Sequence, residues 1–358
     1  MFETAPHFNA LLVFIEHRYY GKSMPFGGKK EVAYSNASML GYLSSTQALA
    51  DYATLITDLK KNLTAEHSPV VVFGGSYGGM LAAWFRLKYP HIAIGALSSS
   101  APILDFFNVT SPYIFNDIIT RDFRSGSKNC YKVIKRSWQK IEDTAKQQGG
   151  LEILRKSFRL CWLETALVYA AMTDYPTPSN FLTPLPAYPV KQMCKAIDEP
   201  SKGDDDFAKL YGAANIYYNY SGGVSCFDLM DDSDPHGLSG WGWQTSIFPA
   251  YKYNYNDTIG SCASDSSVVS RPTWIPTEFG GHDIRRTLRR FGSNIIFFNG
   301  FRDPWSGGGV LIVPKKGAHH VDLRYSTSED PKWLQDVRKK EIKIISGWIS
   351  QYYRDLAK

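Results

Sequence analysis

A serine set among glycines is the strongest chemical signal in the sequence. The stretch Gly74-Gly75-Ser76-Tyr77-Gly78 contains the pattern Gly-x-Ser-x-Gly. It follows the short apolar, β-prone run Val70 to Phe73 and opens a helical stretch from Tyr77 to about Lys88, which stops before Pro90. A strand that turns sharply into a helix at a serine presents the hydroxyl at the carboxyl end of a sheet, beside a helix N-terminus. Glycines two before and two after the serine let such a turn close without a side chain in the way. The chemistry implied is nucleophilic attack by Ser76, with the Tyr77 amide as one oxyanion donor. A phosphate-binding loop would need a Lys followed by Ser or Thr after the glycines, and none follows here.

A serine nucleophile needs a base, and the base needs an orienting acid. In an α/β-hydrolase these follow in the order Ser, Asp or Glu, His, each just past a strand. Asp303 lies in Asn299-Gly300-Phe301-Arg302-Asp303-Pro304-Trp305, after the expected strand Asn294 to Phe298. His319 and His320 lie in Gly317-Ala318-His319-His320, after the shorter run Leu311 to Val313. Of the eight histidines, only these two follow both a strand and that Asp. The imidazole would take the Ser76 proton while Asp303 holds its tautomer. Spacing alone leaves both histidines open as the base, and an Asp-Pro pair is more often a plain turn than an acid.

The elements needed to position these groups can be read around them. Leu11 to Glu16, Val70 to Phe73 and Ile92 to Leu97 read as strands. Helical spacing at Leu49, Tyr52, Leu55, Ile56 and Leu59 marks a helix over Ser45 to Asn62, with Ser44, Ser45 and Thr46 as available caps. Strand and helix alternate as in a parallel sheet with crossover helices. From about Asn108 to Ser270 the alternation disappears. Val133, Ile134, Trp138 and Ile141, then Leu151, Leu154, Phe158, Trp162 and Leu163, form amphipathic helical patterns of an inserted cap or lid. The α/β character returns after Arg271. A closing helix starts at Pro331, with Asp330 as its expected cap. The expected organisation is an α/β-hydrolase core over 1–107, a helical insertion over 108–270 and the second part of the core over 271–358.

Composition excludes several other classes. With 358 residues, 44% of them hydrophobic, a large packed core is available. The net charge of +6 is spread along the chain without a basic cluster, which argues against a nucleic-acid partner. No apolar run approaches the ~20 residues of a membrane-spanning helix. The five cysteines include no Cys-x-x-Cys pair, so no structural metal site is expected. Their wide spacing suits disulfides in an oxidising compartment, with one cysteine left over. Sequons at Asn36, Asn62, Asn108, Asn219 and Asn256 suit a glycosylated protein, whereas the N-terminus has no basic, apolar signal segment.

Taken together, Glu16-His17-Arg18-Tyr19-Tyr20-Gly21, Gly74-Gly75-Ser76-Tyr77-Gly78-Gly79-Met80, Ser100-Ala101-Pro102, Arg271-Pro272-x-Trp274, Asp303-Pro304-Trp305-Ser306-Gly307-Gly308 and Gly317-Ala318-His319-His320-x-Asp322-Leu323-Arg324 resemble peptidase family S28. That family comprises the lysosomal Pro-X carboxypeptidases and dipeptidyl peptidases II, and the sequence is most similar to plant-type Pro-X carboxypeptidase-like members. The resemblance implies a serine exopeptidase of α/β-hydrolase fold with a helical cap, cleaving proline-containing peptides after proline at acidic pH, in a lysosome or vacuole or outside the cell. It implies Ser76 as nucleophile, Asp303 as acid and His319 as base, with His320 and Arg324 as a supporting pair. Met80 and Trp305 become candidate walls of a proline pocket. No cofactor is implied, and a homodimer is compatible with this reading.

Three departures from the family pattern carry expectations of their own. The chain starts after the family's early strands and their Gly-Asn-Glu-Gly loop. This implies a truncated form with an exposed hydrophobic sheet edge and a lost oxyanion donor, worth roughly 3–4 kcal/mol. Thr245 directly follows Trp241-Gly242-Trp243-Gln244, where the family has a Cys-Thr-Glu segment; the missing cysteine explains the odd count. Only about ten residues separate Gly300 from the run at Val310 to Val313, too few for a usual crossover helix, so the Asp303 and His319 loops are expected to be displaced from their usual separation. The alternatives to an active exopeptidase are a catalytically inactive peptide-binding glycoprotein and an α/β-hydrolase esterase.

Overall fold

The computed structural model describes residues 1–106, 108–157, 160–201, 203–223, 240–246, 273–310 and 316–358. The expected strand at Leu311 to Val313, the sequon at Asn256 and the cysteines Cys226 and Cys262 lie outside the described residues. Within them, helix α1 (Ser45–Asn62) starts where the sequence implies, with Ser44 Oγ accepting from the Gln47 amide. Strand β1 (Val71–Gly75), helix α2 (Tyr77–Lys88) and strand β2 (Gly95–Ser99) follow as one parallel crossover unit. Strand β3 (Ile295–Phe298) pairs in parallel with the other side of β2, giving the order β1-β2-β3. The central strand is buried along its whole length. Helix α2 is buried on nearly every side from Gly79 to Arg86, because α1, the sheet and the Phe279 segment all pack on it; Trp84 stacks on Phe279 at 4.1 Å.

Leu11 to Glu16 does not form the expected strand. It has no ladder partner among the described residues, and Leu11 and Phe14 are 68% and 64% exposed, while Ile15 alone packs against the core. A β-prone run becomes a strand only when a neighbour supplies its hydrogen bonds and covers its face.

Between β2 and β3 the chain folds into helices α3 (Ile114–Gly126), α4 (Lys128–Ala145), α5 (Gly150–Ser157), α6 (Leu160–Met172), α7 (Pro189–Asp198) and α8 (Asp206–Tyr218). They share a hydrophobic core of their own, including Phe123, Val133, Leu163, Leu167, Met193 and Leu210. A disulfide between Cys130 on α4 and Cys194 on α7 staples this core across 64 residues of sequence. Sequence spacing shows the helices but not the pairing, which depends on how α4 and α7 pack.

Helix α9 (Ile284–Phe291) leads into β3, and helix α10 (Lys332–Leu356) closes the chain. The Trp348 ring lies flat on Gly95 of β2, where a Cβ would be 2.2 Å from Trp348 Cε3. Asp330 is not the cap of α10. Pro331 is the N-cap, and the Asp330 carboxylate instead accepts from the Thr327 amide and pairs with Arg338. A cationic partner inside the fold outcompetes the free amides of the helix start for this carboxylate.

Five buried carboxyl groups, Asp105, Asp122, Asp174, Asp322 and Glu341, give the fold an acid preference, burial raising each. Burial pushes Asp105 and Asp122 up to about 7, Arg121 and Arg302 partly opposing it at Asp122. Burial also raises Asp322 and Glu341, which face one another with Arg338 around a cavity of about 30 Å³ beneath α10. Between their ordinary values and these raised ones, the folded chain holds protons that the unfolded chain has released. Stability from these groups is therefore fully present below their ordinary carboxylate values and is lost as pH rises through the raised ones, about 6 for Asp322, about 7 for Asp105 and Asp122 and about 9 for Glu341. His17 and His320 act oppositely, since burial lowers both and the unfolded chain binds more protons below 6.5. Melting temperature should thus rise as pH falls from 8 to 6.5, with Asp105 and Asp122 together contributing about 2 kcal/mol, and keep rising more gently below 6.5, where the two histidines only partly offset the carboxyl groups. Calorimetry showing a flat or opposite slope over that window would refute this account. Asp122→Asn should reduce the slope.

Candidate active site

Ser76 sits at the N-cap of α2 with φ 57° and ψ −126°, a conformation that costs a non-glycine residue about 1–3 kcal/mol. The surrounding contacts hold it there. The Ser76 amide donates to Ser99 O at the end of β2 (2.9 Å), and Ser76 O accepts from the Met80 amide (3.1 Å). The two outer glycines of the motif differ. A Cβ on Gly74 would lie 1.9 Å from Gly78 O, whereas one on Gly78 would meet nothing within 4 Å. The expectation that both glycines clear the turn holds for Gly74 only.

Asp303 follows β3 and caps the short 3-10 turn Pro304–Gly308, its Oδ1 accepting from the Trp305 amide at 3.1 Å. Its carboxylate also faces His319 Nδ1, at 3.0 Å from Oδ1 and 2.9 Å from Oδ2. The Asp-Pro turn and the acid are thus one structure. Both residues are buried, at 0% and 2% exposure. The short segment after Gly300 has not separated the two loops. A Cβ on Gly300 would be 2.1 Å from Gly317 O, and Arg302 N donates to the same carbonyl at 2.9 Å.

His320 has φ 37° and does not share the carboxylate. Its amide donates to Ser100 Oγ at 2.7 Å, and its ring lies edge-on to Phe181 and against Gly75, where a Cβ would be 3.1 Å from His320 Cγ. Burial and the neighbouring His319 and Arg324 hold its pKa well below the usual range. The loop carrying both histidines is thereby pressed on the residue before Ser76. No hydrogen bond joins Ser76 Oγ to His319 or Asp303, and none joins His320 to Arg324. Arg324 instead lies over the Tyr175 ring and donates to Thr177 and Pro178. His320 and Arg324 thus hold different neighbours, and Arg324 reaches the His320 ring electrostatically, helping to keep it neutral.

Met80 is 3% exposed within the core between α1, α2 and the sheet, so it lines the core. Trp305 is half-buried against Phe115 of α3 (4.7 Å) and the His319 ring (6.5 Å). Around Tyr77, the structure assembles residues whose joint role the sequence does not reveal. His17 Nδ1 lies 2.7 Å from Arg18 O, which fixes the proton on Nδ1; Nε2 then accepts from the Tyr77 hydroxyl at 3.2 Å. Gln244 Nε2 donates to the Tyr77 oxygen at 3.1 Å, and Tyr20 donates to Gln244 Oε1. Burial lowers the His17 pKa, in keeping with a neutral ring, and pushes the Tyr77 hydroxyl far up. The motifs at 16–21 and 241–244 thus meet over the residue after the serine.

Of the sequons, Asn36, Asn62 and Asn108 are exposed and Asn219 is half-buried. Among the described residues no helix is long and apolar enough to cross a membrane, and no cluster of His, Cys, Asp or Glu is arranged to hold a metal.

A family model described as serine carboxypeptidase S28 matches residues 1–246. A lysosomal Pro-X carboxypeptidase of Bos taurus is 40% identical, with 100% of this chain and 78% of the relative covered. Its counterpart in Homo sapiens is 38% identical over the same shares. The thymus-specific serine protease of Homo sapiens is 35% identical, but over 44% of this chain and 30% of its own length. The bovine alignment spans 398 positions against the 358 residues of this chain, so that relative carries internal stretches with no counterpart here.

Proposed function

The chain belongs to the serine carboxypeptidase S28 family and is a serine peptidase of that family, and on this premise we propose a proline-directed exopeptidase in which Ser76, His319 and Asp303 form the triad. The observation that carries it is the buried hydrogen bond between His319 Nδ1 and Asp303, on a loop packed against the residue before Ser76. A carboxylate on Nδ1 keeps the proton there and leaves Nε2 free to take the Ser76 proton. As Ser76 Oγ attacks a carbonyl carbon, Asp303 stabilises the imidazolium, and the Tyr77 amide at the start of α2 donates to the developing oxyanion. His319 then returns the proton to the leaving amine, and water repeats the sequence on the acyl-enzyme.

Trp305 with Phe115 supplies an aromatic wall for a proline ring, and α3 belongs to the helical block, which fits a cap over 108–270. The His320 ring, neutral and wedged between Phe181 and the elbow, supports the His319 loop. The bovine and human relatives, both lysosomal Pro-X carboxypeptidases, support carboxypeptidase action and a lysosomal site. The test is fluorophosphonate labelling of the purified chain at pH 5 and pH 7, followed by turnover of proline-containing peptides and p-nitrophenyl esters. Labelling abolished by Ser76→Ala, with peptide turnover, is expected. Ester turnover alone would point to an esterase, and a folded chain without labelling to an inactive peptide binder.

A further inference from the structure

The Asp303 and His319 loops are held from the helical block as well as from the sheet. His319 is gripped on both sides of its backbone: its amide donates to Met172 O (3.0 Å) and its carbonyl accepts from the Tyr175 hydroxyl (3.0 Å). Arg302, the residue before Asp303, reaches back to the same stretch, with Nη1 2.6 Å from Asp174 Oδ2. Asp174 is 2% exposed, and its other oxygen accepts from the Val190 amide at the start of α7 (3.3 Å). Residues 172–175 therefore touch both loops at once. Through Val190 they are also continuous with the core stapled by Cys130–Cys194.

We propose that the Arg302–Asp174 ion pair is a positioning device through which the helical block sets the orientation of the Asp303–His319 pair, an inference that rests on the triad reading above. The pair is asymmetric. The Asp174 carboxylate is sealed in the interior, and the Arg302 side chain stays 31% exposed. The Arg302 backbone is tied to the other loop, because its amide donates to Gly317 O (2.9 Å). A movement of Asp174 with α6 or α7 would thus be passed to Asp303 and Gly317 together. Asp122 on α3 also feels both members of the pair, with Arg121 beside it, and Lys191 lies near Asp174. The site therefore holds two carboxyl groups around Arg302, and loss of the guanidinium would leave them facing each other without it.

Arg302→Met and the isosteric Asp174→Asn should each lower kcat on a proline-containing peptide by about 10²-fold, the usual effect of misplacing a catalytic group by 1 Å, with KM little changed. Rates should be expressed per site titrated with fluorophosphonate, so that unfolded protein does not count. The double variant should lose about the same 10²-fold, since both changes break one connection. The acid limb of the labelling pH profile should move to lower pH in both single variants, because a misaligned Asp303 stabilises the His319 imidazolium less. Arg302→Lys, which keeps charge without the fork, should recover part of kcat. Unchanged kcat per titrated site with an unchanged acid limb would overturn the proposal while leaving the triad intact. Multiplicative losses in the double variant would overturn it too. A wild-type chain that is folded but never labelled would instead remove the triad reading, and this inference with it.

Discussion

Asp303→Asn is expected to cut kcat on a proline-containing peptide by about 10⁴-fold while leaving the fold unchanged. The carboxylate has two tasks here, and the substitution separates them. As the cap of the turn at Pro304–Gly308, Asp303 needs only an oxygen to accept from the Trp305 amide, and asparagine supplies one. As the partner of His319, it must accept from Nδ1. An asparagine whose oxygen faces Trp305 turns its NH2 towards the imidazole. The NH2, at the Oδ2 position 2.9 Å from Nδ1, opposes a proton there and favours the tautomer with the proton on Nε2, so the nitrogen meant to receive the Ser76 proton already carries one, while Oδ1 stays shared between Trp305 and the imidazole. Near-UV circular dichroism and melting temperature should stay close to wild type while turnover and fluorophosphonate labelling collapse. If turnover stays within tenfold of wild type, Asp303 is a turn residue only.

The parts of this site that sequence reveals are those built by local geometry. Gly74 to Gly78 announces a strand-to-helix turn because the constraint acts over five residues, and β1, α2 and β2 then follow from apolar runs and their breaks. Asp303 and the histidine pair could be named because each lies just past a β-prone run. Which histidine bonds to Asp303 is a matter of backbone placement: His320 is turned away by its positive φ and its amide bond to Ser100, and neither is encoded in the residue types. The same limit hid the contacts that join distant segments. His17 and Gln244 meet over Tyr77 although 227 residues separate them, and Arg302 finds Asp174 across 128. Leu11 to Glu16 failed in the opposite direction. Its composition suits a strand, but strand formation is a property of a pair, and a single segment cannot show whether its partner is in place.

Gly74→Ala is expected to destabilise the chain by about 3 kcal/mol or more, and Gly78→Ala to change stability by no more than about 1 kcal/mol, in the stabilising direction. The two glycines are equivalent in the motif and opposite in their surroundings. Around Gly74 the obstacles are backbone: Gly78 O at 1.9 Å, Gly78 C at 2.2 Å and Gly79 N at 2.7 Å from a new Cβ. No rotamer change relieves such contacts, so β1 and the first turn of α2 would have to part. That first turn is itself wedged on its other side, because a Cβ on Gly79 would lie 2.7 Å from Ser99 O. Ser99 O is also the acceptor that holds the Ser76 amide, so parting the turn would also shift the serine away from His319. Urea unfolding measures the first consequence and fluorophosphonate labelling of the surviving folded fraction the second. Gly78, by contrast, lies in the first turn of α2 with open space beside it, and alanine there restricts the unfolded chain at no steric cost. An unchanged midpoint and labelling rate for Gly74→Ala would mean that the close strand–helix approach is not what holds Ser76 at positive φ.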